Sequence, residues 1–392
     1  MPLHLTAKDI LPDDPDALLV GRVWVKAVDG PCVVLCREGE VYDLTGLSPT
    51  VSGLLERDDL IAALGGAFPS LGALDGFLDL GDGTGRSGQL LAPCDLQAIK
   101  AAGVTFVASM LERVIEEQAR GDASRAEAAR RAVVAVIGDN LGGIRPGSAQ
   151  AATLRTALLA QGMWSQYLEV GIGVDAEIFT KAQPMSAVGI GAEVGLHPRS
   201  AWNNPEPEIV LAVNSRGEVV GCTLGNDVNL RDFEGRSALL LGKAKDNNAS
   251  AAIGPFIRLF DDRFGIDDVR RCQLSMQVLG ADGQFEMHGS SNLAMISRDP
   301  LELVDQTMGS WQQRTHQYPD GFMLYLGTMF APTQDRHGPG QGFTHAVGDV
   351  VSVSTPLLGT LVNRVNLSDQ VPPWSYGTGA LMRDLARRGL LA

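Results

Sequence analysis

Two short apolar runs on either side of a polar turn constrain the fold of this chain more than any other stretch. Residues 209–213 and 219–224 are apolar and rich in β-branched side chains. Residues 214–217, Asn-Ser-Arg-Gly, have the composition of a turn. The pattern therefore predicts a β-hairpin, and we expect Val213 to face Glu218 across the turn.

Three carboxylates stand at the open end of this predicted hairpin. Side chains two residues apart share a face of a strand, so Glu206 and Glu208 are expected to point the same way. With the register given above, Glu208 faces Thr223 and Glu206 faces Gly225. Asp227 then lies just beyond the end of the second strand, beside both glutamates.

Carboxylates held this close repel one another unless a positive charge neutralises them. A hard divalent cation with oxygen ligands does so, and Mg²⁺ keeps open coordination positions for water or substrate. We therefore predict that Glu206, Glu208 and Asp227 bind Mg²⁺, with Mn²⁺ or Ca²⁺ as alternatives. The competing interpretation is a solvated strand start followed by an ordinary turn.

Composition limits the class of protein and its partners. A chain of 392 residues with 45% hydrophobic and 20% charged residues is long enough for two domains with ample core. Its formal net charge of −14 argues against nucleic acid and anionic membrane as partners. No apolar stretch reaches the roughly 18 residues of a membrane span, and the N-terminus lacks the apolar core of a signal peptide. The five cysteines are predicted to be reduced and buried in a cytoplasmic protein.

The segment from Glu206 to Asp232 resembles the metal-binding segment of the fumarylacetoacetate hydrolase family. That segment reads E-x-E, a turn, then G-x-T-x-x-N-D-V-x-x-R-D, and further family markers follow in the same order. The resemblance covers roughly residues 165–370. The residues that carry it are Glu206, Glu208, Gly221, Thr223, Asn226, Asp227, Arg231 and Asp232, then Lys245 before Gly254-Pro255, Gly289 to Ser291, and Leu326 to Thr328.

The resemblance implies a mostly β (α+β) fold: a rolled β-sandwich catalytic domain at residues 89–392 after a smaller α/β domain at residues 1–88. The turn-rich sequence of residues 21–44 predicts three short strands in the first part. Residues 107–166 are predicted to be helical, in segments that include 126–136 and 151–166. Gly83 to Gly88 fits G-x-G-x-x-G, but Pro93 argues against a following helix, so we interpret it as a loop.

The resemblance also implies a reaction and its residues. It predicts a dehydratase that acts on a small-molecule 2-keto acid, converting 2-keto-3-deoxy-pentonate to 2-oxoglutarate semialdehyde in non-phosphorylating pentose degradation. Glu177 is the expected base, although a surface carboxylate paired with Lys181 is the alternative. Lys245, rather than the more exposed Lys243, is expected to stabilise the oxyanion, and Lys181 to do likewise or assist the leaving group. A homodimer or homotetramer is usual in the family.

Three hydroxyl residues are predicted to contact substrate. Ser290 and Thr328 follow strands, where a small hydroxyl can hydrogen-bond a carboxylate, and Ser186 lies in a nearby loop; plain turn chemistry is the alternative. The second candidate reaction is C–C bond hydrolysis of an acylpyruvate or diketo acid. It needs a histidine beside the catalytic acid, and His197 is the only candidate between Lys181 and Glu206.

Overall fold

The computed structural model describes residues 4–78, 88–120, 122–137, 144–160, 164–309, 314–330, 332, 334–338 and 341–391. Most of the G-x-G-x-x-G segment and part of the helix predicted at 151–166 lie outside these residues. Twelve α-helices occur in the described part: α1 (Ala7–Ile10), α2 (Val51–Leu55), α3 (Leu60–Ala63), α4 (Val107–Ala119), α5 (Ala126–Ile137), α6 (Ala149–Ala160), α7 (Gln166–Ile172), α8 (Arg231–Glu234), α9 (Leu241–Lys245), α10 (Ile266–Arg270), α11 (Pro300–Met308) and α12 (Thr378–Arg387).

Two β-sheets and a short ribbon account for the strands of the described residues. The large sheet runs, edge to edge, β4 (Ser70–Ala73), β3 (Glu40–Asp43), β2 (Gly30–Arg37), β1 (Leu19–Val25), β13 (Ala251–Leu259), β11 (Val219–Asp227), β10 (Pro207–Val213), β16 (Phe322–Tyr325), β6 (Ala98–Gly103) and β7 (Glu177–Ala182), with β5 (Gly88–Leu91) also on β1. The second sheet is β15 (Glu286–Asn292), β14 (Gln273–Leu279), β17 (Val350–Thr355), β18 (Gly359–Leu367) and β8 (Glu193–Leu196), and the ribbon pairs β12 (Asn229–Leu230) with β9 (Asn203–Asn204).

The central strands of the large sheet are buried on both faces. In β10, Ile209 and Leu211 belong to the main core, where residues of both sheets pack together. Val210 and Ala212 alternate with them and belong to a second core on the opposite face. This double burial explains why the strand is a continuous apolar run rather than an alternating one. The predicted rolled β-sandwich with helical additions is confirmed.

The predicted hairpin exists, but its predicted register is wrong by two residues at the carboxylate end. Glu208 pairs with Gly225 rather than Thr223, and Val213 pairs with Val219 rather than Glu218. At the turn the pairing differs from the prediction by one residue. An irregularity between Ala212 and Val213 shifts the register by one more, which gives the difference of two residues at Glu208. A shift of two residues keeps every side chain on its predicted face, because the strand repeat is also two.

The strands predicted in the first 88 residues are confirmed, and they extend the large sheet. β1 pairs with β13 through Leu19 and Val20, so the N-terminal strands continue the sheet that carries the hairpin. The domain boundary at residue 88 stays a prediction. Helix 126–136 is confirmed as α5. The predicted helix 151–166 begins earlier and, in the described part, ends at Ala160 as α6. No helix among the described residues has the length and apolar character needed to cross a membrane.

A glycine in β11 tests the close packing of the central strands. A β-carbon at Gly221 would lie 2.5 Å from the carbonyl oxygen of Arg258 and 2.9 Å from Ile257 Cγ2. Because a backbone atom of a central strand cannot move aside cheaply, Gly221→Ala should lower the free energy of unfolding by about 1–3 kcal/mol. Chemical denaturation measures this change.

Gly242→Ala is the matched control. Gly242 lies in α9 with nothing within 4 Å of its added β-carbon, so alanine should leave stability unchanged or raise it by up to about 1 kcal/mol. Equal destabilisation by both substitutions would contradict the packing described for β11.

Candidate metal centre

The three predicted carboxylates lie together at the ends of β10 and β11. The backbone N–H of Asp227 donates to the carbonyl oxygen of Glu206 at 3.0 Å, so the two residues lie opposite each other. Glu206, Glu208 and Asp227 are all at most 3% exposed. Each offers a carboxylate oxygen, and these oxygens lie within 4.8 Å of one another. The alternative of a solvated strand start is therefore wrong.

Two lysines and an arginine surround this carboxylate cluster. Lys245 Nζ lies 2.5 Å from Glu206 Oε2 and 3.0 Å from Asp227 Oδ2, and Lys181 Nζ lies 2.8 Å from Asp227 Oδ1. The Arg113 guanidinium pairs with Glu206 Oε1. Burial raises the pKa of Asp227, but Lys181 and Lys245 outweigh burial, so the net effect is a lowered pKa. Asp227 is therefore held ionised.

Glu208 lacks such a partner, and this makes the cluster suitable for a metal ion. Within the described residues no ion pair to Glu208 occurs; its Oε2 accepts a hydrogen bond of 2.6 Å from the Gly327 N–H. Burial, then the charges of Asp227 and Glu206, raise the pKa of Glu208 well above its usual range. A buried carboxylate beside two others is stabilised in its charged form by a bound cation. The donor set, three carboxylate oxygens, fits a hard divalent ion.

A cleft opens beside this cluster, and Glu177 lines it. The cleft has an empty volume of about 340 Å³, including its open mouth. Glu177 begins β7 and pairs with Gly103 of β6; a β-carbon at Gly103 would lie 2.0 Å from Glu177 Oε2, so a larger residue there would displace this carboxylate from its position. Burial, followed by the charge of Glu234, raises the pKa of Glu177 to about 7. A carboxyl group with such a pKa can exchange a proton near neutral pH.

Of the other predicted catalytic residues, Lys245 lines the cleft and Lys181 lies behind it. Lys245 is at the end of α9, and Lys243, on the same short helix, is exposed as predicted. Lys181 is fully buried and is not among the lining residues. Its Nζ donates to the carbonyl oxygens of Val228 and Lys245 and contacts Asp227. The structure thus places Lys181 as a support for Asp227 and for α9.

The three predicted substrate-binding hydroxyls occupy different environments. Thr328 lines the cleft, directly after Gly327. Ser290 is exposed on β15 and Ser186 donates to the Gln183 carbonyl oxygen at 2.7 Å; neither lines the cleft. Ser291 is the buried neighbour, and its Oγ accepts a 3.1 Å hydrogen bond from the Met329 N–H, in the loop that carries Thr328.

Two charged residues that the sequence analysis missed also line the cleft. Arg113, from α4, forms ion pairs with three glutamates: with Glu206, with Glu116 at 2.6 Å and with Glu234 at 3.1 Å. Glu234, from α8, is buried; burial raises its pKa, and Arg113 and Lys245 oppose that rise. In sequence Arg113 stands among charged residues of an amphipathic helix, a pattern that is typical of a solvated face.

No histidine is among the residues that line the cleft in the described part of the chain. His197 packs against Phe233 with ring centroids 5.1 Å apart, and its Nδ1 accepts a hydrogen bond from the Arg199 N–H. The buried His345 pairs with Asp349 at 3.0 Å. The candidate histidine for C–C bond hydrolysis is therefore absent from the lining.

Comparison with known proteins gives sequence relatives with one shared activity. No family model matches the chain. Over 203 residues, 52% of its length, the chain is 32% identical to a probable 2-keto-3-deoxyxylonate dehydratase from Haloferax volcanii, of which the match covers 64%. Over 199 residues, 51% of its length, it is 29% identical to the 2-dehydro-3-deoxy-D-arabinonate dehydratase of Saccharolobus solfataricus, of which the match covers 61%. The chain thus matches less than two thirds of the length of either relative.

Solved structures share the fold over most of the chain. A 2-keto-3-deoxy-D-arabinonate dehydratase complexed with magnesium and 2,5-dioxopentanoate matches with a TM-score of 0.60 at 18% identity, covering 89% of this chain and 99% of that one. Fumarylacetoacetate hydrolase from Exiguobacterium antarcticum matches with a TM-score of 0.52 at 16% identity, covering 90% of this chain and all of that one. The resemblance predicted from sequence is confirmed: the chain has the fold of the fumarylacetoacetate hydrolase family, and its sequence relatives are 2-keto-3-deoxy acid dehydratases.

Proposed function

We propose that this protein is a magnesium-dependent hydro-lyase that removes water from a 2-keto-3-deoxy-pentonate. The observation that carries the proposal is the buried trio of Glu206, Glu208 and Asp227 beside a cleft that contains Glu177, a carboxyl group with a raised pKa. The activities of the two sequence relatives and of the structural neighbour support this substrate class.

The trio would hold Mg²⁺, with Mn²⁺ or Ca²⁺ as alternative ions of the same ligand preference. When bound there, the cation would polarise the carbonyl oxygen of a 2-keto acid and so make the neighbouring C3–H bond more acidic. Lys245, whose pKa is raised by Asp227 and Glu206 despite the lowering effect of burial, remains charged and faces the same cleft. It would stabilise negative charge that develops on the substrate.

Two carboxyl groups of the cleft would move the protons. Glu177 takes the C3 proton, and the C4 hydroxyl leaves as water once it gains a proton. Glu234 lines the same cleft and also has a raised pKa, so it can supply that proton. The C3–C4 double bond that forms then gains a proton at C3 and loses one at C5, which gives an enol with its double bond between C4 and C5. This enol gains a proton at C4 and loses its hydroxyl proton, which gives 2-oxoglutarate semialdehyde, with one water released overall.

Arg113, Lys181 and Thr328 would organise the site. Thr328 hydrogen-bonds the substrate carboxylate, and Arg113, which can form two parallel hydrogen bonds with a carboxylate, lies within the same lining. Lys181 holds Asp227 and the end of α9 in place rather than touching substrate. Contacts of Ser186 and Ser290 with substrate stay predictions.

The proposed setting is the degradation of a pentonic acid in the cytoplasm by a homo-oligomer. The five free, buried cysteines agree with reduced thiols. C–C bond hydrolysis finds no support in the cleft lining, because no histidine is among the described residues that form it.

The reaction itself is tested with both C4 epimers of 2-keto-3-deoxypentonate. We expect semialdehyde, followed by NMR, to form from one epimer at least about a hundredfold faster with Mg²⁺ than in chelator, since catalysis without the cation loses its largest electrostatic contribution. Acetylpyruvate serves as the control substrate. Its cleavage to acetate and pyruvate, without dehydration of either epimer, would show that the enzyme is a hydrolase.

Glu208→Gln tests the metal centre with two measurements. Loss of one of three charged ligands should weaken Mg²⁺ binding, measured by calorimetry, by at least about tenfold and reduce turnover in parallel. In the metal-free protein the pKa of Glu208 is higher in the folded than in the unfolded state. The free energy of unfolding should therefore fall as the pH rises above 4.5, the ordinary pKa of a glutamate. The substitution should reduce this loss in thermal melts.

Glu127→Gln, on an exposed position of α5, is the control for both measurements. Retention of tight Mg²⁺ binding and full activity by Glu208→Gln would refute the assignment of this trio as the metal ligands.

Glu177→Gln tests the base. We expect kcat to fall by about 10²–10⁴-fold while Mg²⁺ affinity is nearly unchanged, because Glu177 is not one of the three ligands. In the unaltered enzyme the base must be ionised, so kcat/KM should rise with pH up to a pKa at or below about 7, since a bound cation favours the ionised form. The variant should lack this rise.

Thr180→Ser, on the exposed face of the same strand, is the matched control. An unchanged pH profile in Glu177→Gln would show that another group is the base.

A further inference from the structure

A second cavity, which shares no lining residue with the metal cleft, contains a buried arginine that has no acidic partner among the described residues. It has an empty volume of about 760 Å³, including its open mouth, and lies between β1, β5 and the segment before α12. Arg22 of β1 is 6% exposed and lines it. The Arg22 Nε donates to the Ala92 carbonyl oxygen at 3.0 Å, and one terminal nitrogen contacts the Met185 sulfur at 3.6 Å.

The other buried arginines of the described chain show how unusual this is. Each of them forms an ion pair with a carboxylate, whereas Arg22 forms none within the described residues. A buried guanidinium that lacks a carboxylate within the protein is a site at which an external anion is stabilised. The paired arginines are Arg113 with Glu206, Arg231 with Glu116, Arg258 with Asp14 and Arg298 with Glu302.

A second polar group in the cavity, a tyrosine hydroxyl, has no hydrogen-bond partner in the described part of the chain. The Tyr376 hydroxyl is buried and makes no hydrogen bond among the described residues. Burial, then the charge of Asp384, raises the pKa of Tyr376 to about 12, and the charge of Arg22 acts against this rise. Tyr376 is therefore a neutral donor at physiological pH. A carboxylate has two oxygens, which suits one guanidinium and one hydroxyl donor.

The remaining walls are aromatic and apolar. Trp24 meets Tyr376 edge to face with ring centroids 5.2 Å apart, and the indole of Trp374, 46% exposed, stands at the mouth. No acidic side chain is among the lining residues, and Arg22 is the single basic one among them. One cation favours a singly charged carboxylate over a phosphate group, and the indoles favour a flat apolar body.

We propose that this cavity binds a small aromatic monocarboxylic acid, with its carboxylate on Arg22 and Tyr376 and its ring against Trp24 and Trp374. This site is independent of the dehydratase activity, because none of its residues lines the metal cleft.

Calorimetry with phenylacetate and its neutral analogue phenylacetamide tests the proposal. Phenylacetate should bind at one site per chain, and the amide at least about tenfold more weakly, because it lacks the charge that Arg22 recognises. Tyr376→Phe should weaken phenylacetate binding by about fivefold, the effect of one lost hydrogen bond. Trp374→Ala should weaken it by a similar factor.

Arg22→Lys keeps the charge but loses the paired donors, and should weaken binding by at least about tenfold. Arg383→Gln, exposed on α12 outside the cavity, should bind as the unaltered protein does. If circular dichroism shows that Arg22→Lys does not fold, the phenylacetate affinities of Tyr376→Phe and Trp374→Ala still test the proposed site. Mg²⁺-dependent turnover should be unchanged in both of these.

Results of two kinds would overturn the proposal. The first is equal binding of acid and amide, or no saturable binding of phenylacetate by the folded protein. The second is a change of sedimentation behaviour in Trp374→Ala together with unchanged phenylacetate affinity, which would identify the cavity as an interface between copies of the chain.

Discussion

The mutual repulsion of carboxylates buried at the ends of two strands is the constraint on which this site depends. Three acidic side chains within 4.8 Å of each other cannot stay ionised in a protein interior without compensating charge. Lys245, Lys181 and Arg113 supply part of that charge from three separate elements. The sheet, α9 and α4 are therefore held together by the same electrostatic requirement that makes the site able to hold a cation.

Glu177 shows how the same environment gives one carboxyl group a different character. Glu206 and Asp227 have cations in contact, whereas Glu177 sits against Gly103, and burial and the charge of Glu234 raise its pKa. Carboxyl groups that line one cleft thus differ in character because their neighbours differ, and the proposed function uses three of them as metal ligands and Glu177 as the proton carrier. The proposed chemistry requires both kinds in one cleft.

Much of this arrangement could be predicted from sequence because it depends on the strand repeat. The predicted register of the hairpin was off by two residues, yet Glu206, Glu208 and Asp227 came together, since an even shift leaves side chains on the same face. This alternation is interrupted near Lys181, because the pairing of β6 with β7 shifts register between Thr180 and Ala182. The strand repeat could not show that Lys181, four residues after Glu177, would contact Asp227 from outside the cleft lining.

Residues from other segments escaped prediction for a physical reason. Arg113 and Glu234 reach the site through the tertiary placement of α4 and α8. The residues around each of them in sequence do not distinguish it from a surface charge. Ser290 and Ser291 differ by one position, and the direction of the pleat, which is set by the partner strand, decides that Ser291 is the buried one.

The link between Arg113 and Glu206 has a further consequence. A cation that binds at the trio would compete with the Arg113 guanidinium and the Lys245 ammonium for the carboxylate oxygens of Glu206. Cation binding at this site would thus replace one positive partner of Glu206 by another. The measured cation affinity would then report the difference in free energy between the two interactions. Since Arg113 belongs to α4, the exchange loosens an anchor of that helix, so occupancy of the cluster and the freedom of the cleft's helical wall are thermodynamically coupled.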